Sequence, residues 1–170
     1  EPTIGIITNV GTSHIELLGS KEAIGEAKGE LIRCLGTDSI SILNEDDSFV
    51  SAMSAIAKGK TMTYGIHSNA TIKGSHLRYK KDGIKFTCKA YDDVFDVFLP
   101  MIGEHNVYDA LAAIAAGRAL GVKPSKIKKG LSEFTGTPMR QEIVAFDDIV
   151  ILNDAYNANP SSMAEAIKAL

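Results

Sequence analysis

Short β-branched runs alternate with helical patterns along the first 64 residues, and this alternation limits the possible folds more strongly than composition does. Apolar runs of strand length lie at residues 4–8, 39–43 and 61–64. The first helix, which Ser20 can cap, has apolar residues at helical spacing: Ile24, Ala27, Leu31 and Leu35. A second helical pattern covers residues 46–58. Because strands joined by helices pair in parallel, the sequence predicts an α/β fold with a mostly parallel sheet flanked by helices.

The pattern changes near residue 70 to short strand-like runs that follow one another directly. These runs lie at residues 71–79, 84–90 and 94–99, and Asp82-Gly83 between the first two is a hairpin signal. The sequence therefore predicts an antiparallel β portion in the middle of the chain. Helical patterns return at residues 106–120 and 124–134.

A Gly-Pro segment, Thr135-Gly-Thr-Pro138, is the best candidate for a linker. It separates the helical patterns from two further strands, at residues 141–146 and 149–153, and from a last helix that Pro160 opens. We expect one domain before this linker and the start of another after it.

Composition excludes several classes of protein. The 170 residues carry a formal charge of −3, which argues against a basic nucleic-acid binder. No apolar stretch approaches the roughly 20 residues that a membrane span needs, and no signal-peptide pattern opens the chain. Cys34 and Cys88 lie far apart without metal-ligand spacing, so we expect both to be packed, reduced thiols in a cytoplasmic protein. The first residue is not Met and the last residues continue a helical pattern, so we expect an excerpt of a longer protein.

Gly59-Lys60-Thr61 matches only the end of a phosphate-binding loop. Ser54 stands where the first glycine of that motif should be, and a helix precedes the segment while a strand follows it. We interpret it as the basic end of a helix.

Three segments are more polar than their surroundings. They are Thr8-Asn-Val-Gly-Thr-Ser-His-Ile-Glu16, Gly103-Glu-His-Asn106 and Asn153-Asp-Ala-Tyr-Asn-Ala-Asn-Pro160. Each follows a predicted strand or begins a helix, where open α/β sheets bind ligands. Taken singly, each is also compatible with turn and cap chemistry.

In this order, the three segments resemble those of the Mur ligase family, and within it the branch that adds D-alanyl-D-alanine. Shorter matches between them support the resemblance: Gly19-Ser20, Ala27-Lys-Gly-Glu30, Leu43-Asn-Glu-Asp46 and Pro138-Met-Arg140. The resemblance implies that residues 1–137 are part of a central ATPase domain, of the P-loop type but without its phosphate loop. It implies that residues 138–170 begin a Rossmann-like C-terminal domain.

The activity implied by the resemblance is ATP-dependent amide ligation in peptidoglycan precursor synthesis. UDP-N-acetylmuramoyl-tripeptide would be joined to D-alanyl-D-alanine through an acyl phosphate, with magnesium neutralising the phosphates. A cytoplasmic monomer is expected, and the excerpt alone is expected to be inactive.

The resemblance also implies catalytic and metal-binding residues. His14 matches a magnesium ligand, which Glu16 could orient unless Glu16 is simply solvated. Lys28 matches a lysine that is carbamylated in the family, and its place within the apolar stripe predicts a buried amine with a lowered pKa. A carbamate would give magnesium an anionic oxygen ligand; the alternative is a lysine whose stem covers apolar surface. Arg140 matches a residue near the phosphates of ATP.

Further matches concern nucleotide and substrate binding. Asn106 would contact adenine, with His105 shaping the pocket and Asp154 near the ribose. Asp109 replaces a second Asn of many relatives, and a carboxylate can only accept hydrogen bonds, so Asp109 either binds nucleotide or stabilises a helix N-terminus. The residues expected where the tripeptide meets the dipeptide are Tyr156, Asn157 and Asn159.

Two alternatives stay open at this stage. One is a sister ligase that adds a different amine, although Tyr156-Asn-Ala-Asn-Pro160 argues against it. The other is a binding module without catalysis, which would use the region around Asp154 only to hold a nucleotide.

Overall fold

A computed structural model describes residues 2–12 and 15–169 of the chain. The strands are β1 Ile4–Ile7, β2 Ile40–Asn44, β3 Lys60–Gly65, β4 Ile72–Lys80, β5 Gly83–Ala90, β6 Asp93–Leu99, β7 Glu142–Phe146 and β8 Ile149–Asn153. The α-helices are α1 Ile15–Leu18, α2 Lys21–Cys34, α3 Ser48–Ala52, α4 Glu104–Ala119, α5 Pro124–Ser132 and α6 Pro160–Ala169, and a 3₁₀ turn covers Met53–Ile56.

The first six strands form one sheet in the order β1-β2-β3-β4-β5-β6. Strands β1 to β3 pair in parallel over most of their length, whereas β3 and β4 share only two parallel pairs, Tyr64 with Ile72 and Gly65 with Lys73. Strands β4, β5 and β6 are antiparallel. The predicted parallel sheet with an antiparallel portion is confirmed, and β4 joins the two parts into a single sheet.

Alternate side chains of the sheet enter two separate cores. Ile42 of β2 belongs to the core under α4, which buries apolar residues of β3 to β6 as well. Its neighbour Leu43 points to the other face, into a core formed with α2 and α3. Because successive strand residues point to opposite faces, the nearly continuous apolar run of β2 reflects burial on both sides.

Helix α2 begins as predicted, because the Ser20 hydroxyl accepts a hydrogen bond from the Ala23 N–H at 3.2 Å. The predicted apolar stripe is wrong at Ala27, which is exposed. Gly25 and Gly29 are buried instead, where a Cβ would lie 3.4 Å from the Phe49 ring and 3.6 Å from the Ile56 methyl group. The buried face is therefore set by small residues as well as by large apolar ones.

The helix predicted over residues 46–58 is only partly present. Asp47 caps the five-residue helix α3 by accepting from the N–H groups of Phe49 and Val50, and the chain then tightens into the 3₁₀ turn. The Ser51 hydroxyl bonds back to the Ser48 carbonyl. Serine side chains that compete for backbone groups in this way weaken a helix.

The two cysteines differ in environment. Cys88 is buried and burial raises the pKa of its thiol to about 12, while Cys34 is exposed, so the prediction that both are packed is wrong for Cys34. It occupies the last position of α2, on the side away from the core. No described helix is long and apolar enough to cross a membrane.

The predicted linker lies in an irregular segment between α5 and β7. Its end is a tight turn in which the Arg140 N–H donates to the Thr137 carbonyl at 3.1 Å, with Met139 at a φ of 62°. Strands β7 and β8 then form a separate two-stranded antiparallel sheet, followed by α6.

Candidate functional site

Side chains from the last residue of β2 and from the loop after it form hydrogen bonds with the loop that follows β1. The Asn44 amide donates to the Thr8 carbonyl at 2.9 Å, and the Val10 N–H donates to the Asp47 carboxylate at 2.8 Å. These bonds hold the first polar segment, which follows β1, against the end of β2. The carboxyl ends of parallel strands therefore form one connected surface, as expected for a ligand site in an α/β sheet.

Asp46 organises the loop after β3. Its carboxylate accepts hydrogen bonds from the backbone N–H groups of Ile66, His67 and Ser68, at 2.6, 3.0 and 2.7 Å, and from the Tyr108 hydroxyl of α4 at 2.9 Å. Partial burial opposes ionisation, but these hydrogen bonds outweigh it and hold the pKa of Asp46 well below its usual range. Asp46 thus connects β2, the β3–β4 loop and α4.

Replacing Asp46 with alanine is expected to lower the free energy of unfolding by about 3 kcal/mol, because three backbone donors and one hydroxyl lose their acceptor. Urea unfolding at pH 7 measures this change. The folded-state pKa of Asp46 lies below its unfolded value, so its contribution is complete above about pH 4 and decreases as the pH falls further. The stability difference between wild type and Asp46→Ala should therefore shrink in acid, and a difference independent of pH would contradict the assignment.

The N-terminus of α4 places the second polar segment at the edge of this surface. The Asn106 side-chain amide donates to the Ile102 carbonyl at 2.6 Å and to the Gln141 side-chain oxygen at 2.9 Å. His105 Nε2 lies 2.9 Å from the same Gln141 oxygen. Gly103 caps the helix at a φ of 88°, and a Cβ there would collide with the His105 ring. Glycine is therefore required for the histidine to adopt this position.

Asp109 lies one turn after His105 on α4. Desolvation raises the pKa of its carboxyl group, and nearby His105 opposes this shift. A raised pKa shows that the surrounding atoms stabilise the ionised form less than water does. Asp109 is also beyond the first four residues of α4, so helix-dipole stabilisation there is weak.

Residues that follow the linker, including those of the third polar segment, lie opposite the N-terminus of α4. The Arg140 guanidinium stacks on the Tyr156 ring, with Cζ 4.2 Å from the ring centroid. The Asp154 carboxylate accepts from the Gln141 N–H at 3.2 Å. The Asn159 side chain caps α6 by accepting from the Ser162 N–H at 2.9 Å, so part of its role is structural.

A cleft of about 760 Å³ lies between these two sides. Its lining includes six of the predicted site residues: His105, Asn106, Asp109, Arg140, Asp154 and Asn159. Thr8, Asn9, Gly11 and Thr12 of the first polar segment also border it. The structure therefore brings all three polar segments to one cleft. Tyr156 reaches it only through its contact with Arg140, and Asn157 is exposed outside its lining.

Lys28 lies next to this cleft on α2. Its ammonium nitrogen donates to the Asn9 carbonyl at 2.6 Å, and the side chain is half-buried. The predicted buried amine is wrong, because the side chain is only half-buried and its head group reaches the loop after β1. This contact nevertheless places the nitrogen beside the first polar segment. His14, the predicted magnesium ligand, lies outside the described residues, and Glu16 is exposed.

Three residues with organising roles were not predicted from the sequence: Asp46, Tyr108 and Gln141. Asp46 stands in a run of polar residues directly after a buried strand, which is a usable signal. Tyr108 and Gln141 acquire their roles only through contacts with residues 62 and 35 positions away. Among the described residues, no group of three or more His, Cys, Asp or Glu side chains is placed to hold a metal ion.

Comparison with known proteins identifies the fold and the family. Residues 1–117 match the family model of the Mur ligase middle domain. The chain is 39% identical over 168 residues to the UDP-N-acetylmuramoyl-tripeptide–D-alanyl-D-alanine ligase of Bacillus subtilis, covering 98% of the chain and 36% of that protein. It is 32% identical to the UDP-N-acetylmuramate–L-alanine ligase of Phenylobacterium zucineum, covering 98% of the chain and 36% of that protein.

A solved structure shows the same arrangement. The crystal structure of MurF from Acinetobacter baumannii superposes with a TM-score of 0.94 at 30% identity, over 99% of this chain and 37% of that one. The chain thus spans little more than a third of the length of the proteins it matches. The middle-domain model matches more than half of this chain, and this match shows that the chain belongs to the Mur ligase family.

Proposed function

We propose that this chain forms the nucleotide-binding part of an ATP-dependent ligase that joins UDP-N-acetylmuramoyl-tripeptide to D-alanyl-D-alanine. The observation that carries the proposal is the cleft in which α4 residues face Arg140 and Asp154 from beyond the linker. The Bacillus relative, which bears the name of that ligase, supports the choice of substrates. A ligase must hold a nucleotide and bring a second substrate to its phosphates, and a cleft with two sides suits both tasks.

The polar groups of the cleft fit the parts of ATP. The Asn106 amide has hydrogen-bonding atoms suited to the edge of adenine. Asp154 offers carboxylate oxygens to the paired ribose hydroxyls, and the planar guanidinium of Arg140 suits phosphate oxygens. Asp109 faces the same space, and desolvation raises the pKa of its carboxyl group. ATP activates the substrate carboxylate, while these residues position the ATP.

Magnesium would be held next to the phosphates by His14 and Lys28. Magnesium prefers oxygen ligands, so an anionic oxygen beside the His14 imidazole would suit the ion. A carbamate on Lys28 would be such a ligand, and the Nζ position beside the Asn9 carbonyl supports it. A magnesium ion neutralises phosphate charge and polarises phosphoryl oxygens.

We further propose that the domain boundary lies between residues 137 and 138. The separate β7–β8 sheet and the irregular segment before it support this division. Tyr156, Asn157 and Asn159 would then meet the end of the tripeptide, with Tyr156 also orienting Arg140. We propose a cytoplasmic monomer, in keeping with the reduced cysteines and the balanced charge.

A sister ligase is the second candidate. The similarity to the UDP-N-acetylmuramate–L-alanine ligase of Phenylobacterium zucineum favours it, because the match covers 98% of this chain at 32% identity. Its carboxylate and amine substrates differ from those of the first candidate, so a substrate panel separates the two.

The test is phosphate release by the full-length protein with ATP, magnesium and one carboxylate–amine pair at a time. We expect turnover of about 1 per second or more with the tripeptide and D-alanyl-D-alanine, and background release with UDP-N-acetylmuramate and L-alanine. The reverse preference would establish the sister ligase. ATP binding without turnover on any pair would support a non-catalytic module and overturn the proposal.

A further inference from the structure

The side chain of Gln141 connects the two sides of the cleft. Its oxygen lies 2.9 Å from both the Asn106 amide nitrogen and His105 Nε2 of α4, while its own backbone N–H donates to Asp154. Gln141 belongs to none of the three polar segments, and the proposed nucleotide contacts do not include it. It nevertheless joins the segment after the linker to the helix that carries Asn106.

The Ile102 carbonyl identifies which atom of the Asn106 amide is the nitrogen. A carbonyl oxygen can only accept a hydrogen bond, so the Asn106 atom 2.6 Å from it must be the nitrogen. The second N–H of that nitrogen then points to Gln141, which must present its oxygen and not its amide nitrogen. With both N–H groups of Asn106 engaged, its Oδ1 is the atom left to meet a ligand.

His105 supports the same arrangement. Its Nε2 lies 2.9 Å from the Gln141 oxygen and 3.1 Å from the Asn106 amide nitrogen, and in the neutral Nε2–H tautomer it donates to the Gln141 oxygen. In that tautomer the buried Nδ1 atom, which has no hydrogen-bond partner among the described residues, exposes only a lone pair to the protein interior. A proton on Nδ1 would leave a buried donor without an acceptor among the described residues, which disfavours the other tautomer. The Gln141 oxygen thus receives two hydrogen bonds.

Backbone conformation shows that Gln141 is held in this position. Gln141 and Met139 both have positive φ values, 52° and 62°, which residues other than glycine rarely adopt. The Tyr156 N–H donates to the Met139 carbonyl at 3.1 Å, and Asp154 accepts from Gln141 itself. Such conformations persist where surrounding contacts enforce them, and they cluster at functional sites.

We propose that Gln141 is a positioning residue that fixes the Asn106 amide with its oxygen toward the ligand and thereby selects a purine with an amino group at C6. Adenine carries an amino group that donates to this oxygen. Guanine carries a carbonyl oxygen at the corresponding position, and two acceptors repel each other. The inference rests on the proposed function, since it assumes that Asn106 meets the base of a nucleoside triphosphate.

The experiment compares three variants of the full-length protein. Gln141→Met keeps the length of the side chain but removes its acceptor, Gln141→Glu keeps an acceptor oxygen, and Glu142→Ala is the matched control. Glu142 accepts bonds from Met139 and Asn153 on the hairpin side. KM and kcat are measured with ATP and with GTP, and direct binding is measured with a fluorescent ATP analogue displaced by each nucleotide.

For Gln141→Met we expect the ATP-to-GTP preference in kcat/KM to fall about tenfold, because the Asn106 amide loses its bond to Gln141 and keeps the bond to the Ile102 carbonyl. The change should appear in KM, with kcat within about twofold of wild type. Gln141→Glu should restore the preference, and Glu142→Ala should leave it intact. A purely structural role would lower activity with both nucleotides equally and leave the preference unchanged.

The outcomes separate the two proposals. Wild-type protein that binds neither nucleotide would reject the proposed function. Wild-type protein that prefers ATP, together with an equal preference in Gln141→Met, would reject the role of Gln141 alone. Loss of the preference in Glu142→Ala to the same degree would also reject it, since it would assign the effect to the hairpin as a whole.

Discussion

Lys28→Ala in the full-length protein is expected to lower the rate of ligation about a thousandfold or more. The Lys28 nitrogen lies beside the Asn9 carbonyl at the edge of the cleft, where its carbamate would supply an oxygen to magnesium. Loss of a metal ligand removes several kcal/mol of stabilisation from a transition state in which phosphate charge develops. Phosphate release with saturating substrates measures the loss, and Lys21→Ala, an exposed lysine on the same helix, is the control.

Two further measurements distinguish a carbamate from other roles. Formate or acetate should restore part of the activity of Lys28→Ala, because a small carboxylate can occupy the vacated ligand position. Lys28→Arg keeps a cationic donor for the Asn9 carbonyl but cannot form the carbamate, so it should stay inactive. Full activity in Lys28→Arg would assign Lys28 to that hydrogen bond and contradict the carbamate.

The order and type of the elements could be predicted because hydrophobic period and turn residues are local signals. Pro124 and Pro160 begin α5 and α6, and the hairpin at Asp82-Gly83 is present. Errors arose where a long-range contact decided the outcome. Gly25 is buried and Ala27 is exposed because of which face of α2 packs against Phe49, and the sequence of α2 alone does not contain that information.

The functional site likewise combines local features that the sequence predicts with long-range contacts that it does not predict. The polar segments could be placed at strand and helix ends from sequence, because Asn, Asp and Gly are unusual beside apolar runs. Their meeting in one cleft depends on β1 and β2 being neighbours in the sheet and on the linker turning back toward α4. Residues that act by joining elements, such as Asp46 and Gln141, have no periodic signal. Their roles are evident only from the distances in the folded chain.

Arg140→Ala is expected to reduce kcat/KM for ATP about a hundredfold, the second largest effect that we predict. The guanidinium stacks on Tyr156 with Cζ 4.2 Å from the ring centroid and borders the cleft from beyond the linker. A planar cation held in this way can bond two phosphate oxygens at once as charge develops on them. Steady-state kinetics with ATP varied at saturating second substrates measure the change, and Arg78→Ala on β4 is the control.

The contact with Tyr156 gives this prediction a second test. Arg140→Lys keeps the charge but loses the planar stacking and the paired donors, so we expect it to recover only a small part of the lost rate. Tyr156→Phe retains the ring under Arg140 and should remain close to wild type, whereas Tyr156→Leu should lose roughly tenfold, because the guanidinium is no longer held. If Arg140→Lys were as active as wild type, or if Tyr156→Leu changed nothing, charge alone would account for Arg140 and its stacked geometry would have no part in the reaction.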